Sequence, residues 1–197
     1  MTDRNAVASR NTKETKITVE LNILSAGKAG SFSGTSGIGF FDHMLNAFAT
    51  HGGFDIKLEC CGDLEVDGHH TVEDTGIVLG NAFVKAIGDR VGIARFASFF
   101  VPMDEALTRA VVDVSGRPFL VFDADFRDSS VGAFDTSLAV EFFRALTFAA
   151  GITLHIKNEY GANDHHKLES IFKAAAKALS AALVVIGDAV PSTKGVL

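Results

Sequence analysis

Tryptophan is absent, tyrosine occurs once and proline three times in 197 residues. So few prolines exclude a proline-rich tether between domains and favour parts that share one core. Cysteine is scarce as well. Cys60 and Cys61, in "IKLECCGDLEV", are neighbours, which rarely form a disulfide, and two are too few for a secreted disulfide framework. No run of about 18 uncharged apolar residues exists, as a membrane span would need. The opening "MTDRNAVASRNTKETKITVEL" has no apolar segment of the secretory kind. Positive charge is also short. Lys and Arg number 18 against 24 Asp and Glu, with no long basic run, so the electrostatic footprint of a nucleic-acid binder is missing. These absences predict a soluble cytoplasmic chain with neither membrane nor nucleic-acid partner.

What is present is a globular composition, 47% hydrophobic and 21% charged, at a length that affords a sizeable core. "TKITVELNI" alternates as a half-buried strand does. A Gly/Ser stretch, "SAGKAGSFSGTSGIG", reads as loop; its "GTSGIG" has no strand-loop-helix setting for a dinucleotide and reads as a flexible loop. "FFDHMLNAFATHGG" reads as a helix closed by glycines. "FDIKLECCGDLEVD" reads as a strand or hairpin. From "HHTVEDTGIVLGNAFVKAIGDR" the period is helical, with Val72, Ile77, Leu79, Ala82, Phe83 and Ala86 pointing inward.

The second half replays this order. "LTRAVVDVSG" and "PFLVFDADF" read as strands, "SLAVEFFRALTFAAG" as a helix and "ITLHIKNEYG" as a strand. "DHHKLESIFKAAAKALSAALVVIG" reads as a long helix with Asn163 or Asp164 as N-cap. The Phe-rich "FASFF" and "EFFRA" read as core. Laying "HMLNAFATHGGFDIKLE" over "EFFRALTFAAGITLHIK" puts His43 on Glu141, Gly53 on Gly151, Ile56 on Leu154 and Leu58 on Ile156. The expected fold is α+β: two similar halves, 1–92 and 93–197, each a sheet with helices on one face.

Four of the seven histidines form two adjacent pairs, each opening an HHxxE motif: "HHTVE" at 69–73 and "HHKLE" at 165–169. Residues i and i+4 share a helix face, so His69 with Glu73, and His165 with Glu169, each offer a nitrogen and an oxygen to one divalent cation. Adjacent histidines point about 100° apart and cannot readily chelate one ion together, though they can serve two. One such pair would usually be a solvated helix face; two, at matching places of a repeat, point to metal. Adding the overlaid His43 and Glu141 gives His43, His69, His70, Glu73, Glu141, His165, His166 and Glu169. That is enough for two four-ligand sites. Nitrogen and oxygen ligands suit manganese, iron, cobalt or zinc.

On "RNTKETKI", "GFFDHML…HGGFD", "DGHHTVEDTGIVLG", "VPMDEAL", "DVSGRPFL", "NDHHKLESIFKA" and "PSTKGVL", in that order from about residue 10 to the end, the chain resembles the imidazoleglycerol-phosphate dehydratase family. The resemblance implies a fold of two halves like ribosomal protein S5 domain 2. It also implies two Mn2+ per active site and sites formed between chains, in a homo-oligomeric shell of 24 built from trimers. It would put His43, His70, His165 and Glu169 on one ion, and His69, Glu73, Glu141 and His166 on the other. Phosphate would fall to Arg95, Arg117, Lys173, Ser192 and Lys194, and Glu14 to the substrate. Two departures stand out: many members carry histidine at the place of Glu141, and members often carry glutamine at the place of Ala47.

The implied reaction removes water from imidazole glycerol phosphate to give imidazole acetol phosphate in histidine biosynthesis. The proton leaves a carbon that is not next to a carbonyl, so electrons need another sink. The imidazole ring can provide it, through an imidazolate and a diazafulvene-like intermediate. Glu14, Glu73 and Glu169 are the candidate carboxylates for the proton. The same ligands would also suit a binuclear phosphoesterase or a metal-organised structural shell.

Overall fold

The computed structural model describes residues 4–195; Val196 and Leu197, the last of "PSTKGVL", lie outside the described residues. The first half runs β1 (Asn5–Asn11), β2 (Thr15–Ile23), β3 (Ser31–Thr35), α1 (Gly39–Gly52), β4 (Phe54–Gly62) and α2 (His69–Ile87). The second runs β5 (Phe96–Met103), β6 (Ala106–Asp113), β7 (Phe119–Asp123), the short hairpin β8 (Ser130–Val131) and β9 (Phe134–Asp135), α3 (Leu138–Ala150), β10 (Thr153–Tyr160) and α4 (Asp164–Ala182). The sheets are ordered β1-β2-β4-β3 and β5-β6-β10-β7, and in each the final pair is parallel and the others antiparallel. The fold is α+β with two similar sheet-plus-helix halves.

Alternation explains the sheets. In β2 the odd-numbered residues from Thr15 to Ile23 are buried, and in β4 Phe54, Ile56 and Leu58 are. Their overlaid partners Leu154 and Ile156 are buried on β10. Both helix-to-strand junctions turn on a left-handed residue, Gly53 at φ 68° and Gly151 at φ 62°, where a side chain would be strained.

The helices lie between the sheets. α2 covers β1 and β2, α4 covers β5, β6 and β10, and the layers meet as α1 against α4 and α2 against α3. Phe41, Phe142, Phe143 and Phe172 interlock at that meeting, with ring centroids 4.8–5.3 Å apart from neighbour to neighbour. The halves therefore have one apolar interior. Backbones of α2 and α3 approach closely at Gly80, where an added Cβ would sit 2.6 Å from Ala149 Cβ and 2.8 Å from Leu146 O. Gly80→Ala is expected to cost about 1–3 kcal/mol through overpacking, outweighing alanine's helix preference of about 1 kcal/mol. Denaturant unfolding would check this, and an unchanged midpoint would refute it.

Several details differ from the sequence reading. The Gly/Ser stretch contains β3, and β1 was not anticipated; of the two readings of "FDIKLECCGDLEVD", strand or hairpin, the strand forms. Ile77 is only half buried while Val78 is buried. "EFFRA" is core as expected, but "FASFF" is not: Phe96 is 59% and Phe100 57% exposed. β5 is an edge strand, and its register puts Phe96 opposite Asp113 and Phe100 opposite Arg109, on the outer face. Among the described residues no helix is long and apolar enough to cross a membrane. Cys60 and Cys61 are free thiols, and burial pushes Cys60 up to about 11.

Candidate active site

The start of α4 is fixed from several sides. The Asn163 side chain caps it, accepting from the N–H groups of His165 at 2.9 Å and His166 at 3.3 Å. Buried Asp164 accepts from the backbone of Arg127 and Asp128 and from Lys167 Nζ, at 2.7, 2.8 and 2.8 Å. This anchoring sets the helix rotation, and one turn on from His165, Glu169 faces the same way. Across the contact, α1 presents His43. His165 Nε2 lies 3.2 Å and His43 Nε2 3.4 Å from the same oxygen, Glu169 Oε2. The ligand atoms of the three residues all lie within 4.8 Å of one another.

Phe40 stands edge-on to both imidazoles, at 6.2 and 5.0 Å. Glu169 Oε1 takes Lys173 Nζ at 2.5 Å. Burial works against the charge of Glu169, yet Lys173 and then His165 hold its carboxyl below the ordinary range. The carboxylate is ionised where it faces the imidazoles. Metal bonds of about 2.0–2.2 Å put neighbouring ligands roughly 3–4 Å apart, so these three side chains fit a divalent ion.

The other candidates lie elsewhere on the chain. On α2, His69 Nε2 is 3.8 Å from Glu73 Oε2. Glu73 and Glu141 line one groove of about 440 Å³ between α2 and α3, with Ile77, Asn81, Arg144 and Phe148. Glu141 is ion-paired with Arg144. The second histidine of each pair is held apart. His70 Nδ1 is 2.9 Å from Asp63 and its Nε2 3.9 Å from Glu14. His166 Nδ1 is 2.7 Å from Glu105 and its Nε2 3.6 Å from Asp104. One chain thus gathers His43, His165 and Glu169, but does not bring His70 to them or His166 to His69 and Glu73.

The cations sort similarly. Arg95 grips Asp113 through Nε and Nη2, at 2.8 and 3.3 Å, and donates to Pro191 O at 2.6 Å, so the tail carrying Ser192 and Lys194 is tied beside it. Arg117 reaches the same Asp113 at 3.3 Å. Lys173 is not with them; it stands at Glu169. Ala47, one turn from His43 on α1, is buried.

Asp63, Asp104 and Glu105 escaped the sequence reading. Asp104 and Glu105 lie in "VPMDEAL", but spacing along the chain does not say that a β5–β6 hairpin reaches the start of α4. The Glu105–His166 contact has a consequence for metal-free protein. Glu105 is drawn down to about 2, first by His166 and then by the N–H groups of Asn163 and Ala162, while the same contact raises His166 above 6.5. A lowered acid stabilises above its unfolded value of 4.5 and is lost as pH falls toward 2; a raised base stabilises below 6.5 and is lost as pH climbs through its folded value. The pair's contribution is therefore complete between pH 4.5 and 6.5 and declines on both sides. Tm scans of metal-free wild type and Glu105→Gln should differ most in that window. Parallel curves at all pH values would refute it.

Comparison with known proteins identifies the family. The family described as imidazoleglycerol-phosphate dehydratase matches residues 36–179. The chain belongs to this family. It is 55% identical over 194 residues to the imidazoleglycerol-phosphate dehydratase of Carboxydothermus hydrogenoformans, spanning 98% of this chain and 100% of that one. To that of Caldicellulosiruptor saccharolyticus it is 50% identical over 197 residues, with 100% of both covered. A crystal structure of the Staphylococcus aureus dehydratase superposes with a TM-score of 0.78 at 38% identity, covering 91% of this chain and 99% of that chain. One from Pyrococcus furiosus, in complex with (S)-C348, gives 0.79 at 38%, covering 96% and 99%. Family membership makes the chain an enzyme, a carbon-oxygen hydro-lyase.

Proposed function

We propose that the chain dehydrates imidazole glycerol phosphate to imidazole acetol phosphate in histidine biosynthesis, with two divalent ions per site, in the reducing cytoplasm that its two free thiols suit. Mn2+ is the ion we assign. The observation that carries this reading is the convergence of His43, His165 and Glu169 on one point. The ligands left over, His69 with Glu73 on one side and His70 and His166 on others, support sites completed by a second copy, in trimers that assemble to 24. Exposed Phe96, Phe100 and Phe119 offer such copies an apolar sheet face.

The divalent ions would supply Lewis acidity that favours the ring's imidazolate. From the imidazolate, the ring electrons would expel the neighbouring hydroxyl, which would leave as water with the proton given up by the ring. The resulting diazafulvene-type species would pass a proton from the next carbon back to the ring and give an enol that tautomerises to the ketone. Glu14 is the carboxylate for that proton. Glu169 is held by Lys173 and two imidazoles, and Glu73 faces His69, whereas Glu14 is exposed on the β1–β2 turn, 3.9 Å from His70. Arg117, exposed and held by one 3.3 Å contact, has donors to spare for phosphate; Arg95 keeps Asp113 and the Ser192–Lys194 tail in place beside it.

The test is to incubate manganese-loaded protein with imidazole glycerol phosphate and follow ketone formation. Release of inorganic phosphate instead would make it a phosphoesterase, and no turnover would leave a structural shell. Glu14→Gln should lower kcat roughly 10²–10⁴-fold with metal binding intact. Unchanged kcat would remove Glu14 from the mechanism.

A further inference from the structure

The two histidine pairs share an arrangement that the HHxxE motif does not encode. In each pair the first histidine turns Nε2 toward the glutamate four residues on, His69 to Glu73 and His165 to Glu169. The second histidine instead has its Nδ1 edge against a carboxylate from outside its helix. His70 Nδ1 lies 2.9 Å from Asp63 Oδ2, and His166 Nδ1 lies 2.7 Å from Glu105 Oε2. A carboxylate oxygen only accepts, so in both cases Nδ1 carries the hydrogen, which in the neutral ring leaves Nε2 with a bare lone pair.

Duplication does not account for this. Asp63 sits on the connection between β4 and α2, whereas Glu105 sits on the β5–β6 hairpin, and the first-half counterpart of that hairpin carries Glu14. Two different places in the repeat deliver the same contact to equivalent histidines. Beyond each Nε2 the nearest carboxylate, Glu14 at 3.9 Å or Asp104 at 3.6 Å, is too far for a hydrogen bond.

We infer that Asp63 and Glu105 are positioning residues. Each clamps the second histidine of a pair in the tautomer and orientation that offers Nε2 to a divalent cation. The inference rests on the two-ion reading above and extends it to residues outside the ligand set. A carboxylate behind a ligating imidazole fixes the ring and raises its basicity, and its loss costs roughly 10- to 100-fold in metal affinity.

Glu105→Gln tests this with little change of shape. Oε1 of Glu105 accepts from the N–H groups of Ala162 and Asn163 at 3.0 and 2.7 Å, so the amide oxygen of glutamine stays there. Its NH2 then faces His166 Nδ1, which must become the acceptor, and the hydrogen moves to Nε2, where it blocks the metal. Chelator-stripped protein would be titrated with Mn2+ by equilibrium dialysis, with bound ions counted by electron paramagnetic resonance. Wild type is expected to bind two ions per chain. Glu105→Gln should weaken one binding event roughly 10- to 100-fold while the other stays unchanged. Asp63→Ala is the independent variant in the first half and should weaken the event that Glu105→Gln spares. If wild type binds two ions and both variants bind them with wild-type affinity, the inference is overturned. If wild type binds none, the two-ion reading itself fails and takes the inference with it.

Discussion

Glu169→Gln is expected to lower turnover roughly 10³-fold and to weaken manganese binding by more than the roughly 100-fold that loss of an outer partner costs. The size follows from how much converges on one carboxylate. Its Oε2 faces His43 and His165 at 3.4 and 3.2 Å, and its Oε1 takes the Lys173 ammonium at 2.5 Å. The Lys173 ammonium only donates, so the amide oxygen of glutamine must turn to it. The NH2 is then left facing the two imidazole nitrogens that should share an ion. A neutral side chain also removes the negative charge that Lys173 and a cation both need. Unfolding of the metal-free variant should move far less than activity, because volume and neighbours are kept. Wild-type kcat and wild-type metal binding in Glu169→Gln would sink the site as drawn.

Removing metal from the wild-type protein should have the largest effect of all. Chelation is expected to reduce ketone formation to background, and added Mn2+ to restore it. Stability should move in parallel. Ions that bind the folded chain alone stabilise it by about 2.7 kcal/mol at a hundredfold excess over Kd, so Tm should rise with manganese and fall with chelator. Because one chain holds only parts of the ligand set together, the proposed assembly of 24 should loosen in the same titration, which light scattering would follow. Protein verified to be metal-free, still assembled and fully active on imidazole glycerol phosphate, would end the metal-dependent account.

Much of the architecture is legible in the sequence. Period-two burial in "TKITVELNI" is β2 end to end, and the overlay of Gly53 on Gly151 names the two left-handed residues that close α1 and α3. Of the two N-caps that the sequence offered for α4, Asn163 and Asp164, Asn163 is the one used. Local pattern failed where packing outvoted it. "FASFF" has core composition, but β5 is an edge strand, and among the described residues no layer covers the outer face on which Phe96 and Phe100 sit. β3 hid in a glycine-rich stretch because it is recruited by pairing with β4 rather than by its own propensity.

The sequence by itself determined the duplicated halves, the helix starts that carry both histidine pairs, and the pairing of each first histidine with the glutamate one turn on. These depend on chain-local periodicity, so spacing alone can specify them. Only the tertiary structure decided that His43 meets His165 and Glu169, that His70 answers to Asp63 and His166 to Glu105, and that Lys173 stands with Glu169 rather than with Arg95 and Arg117. Those contacts join segments far apart in the chain. Their geometry is set by how α1 lies on α4 and where the loops and hairpins reach, which no spacing along the chain encodes.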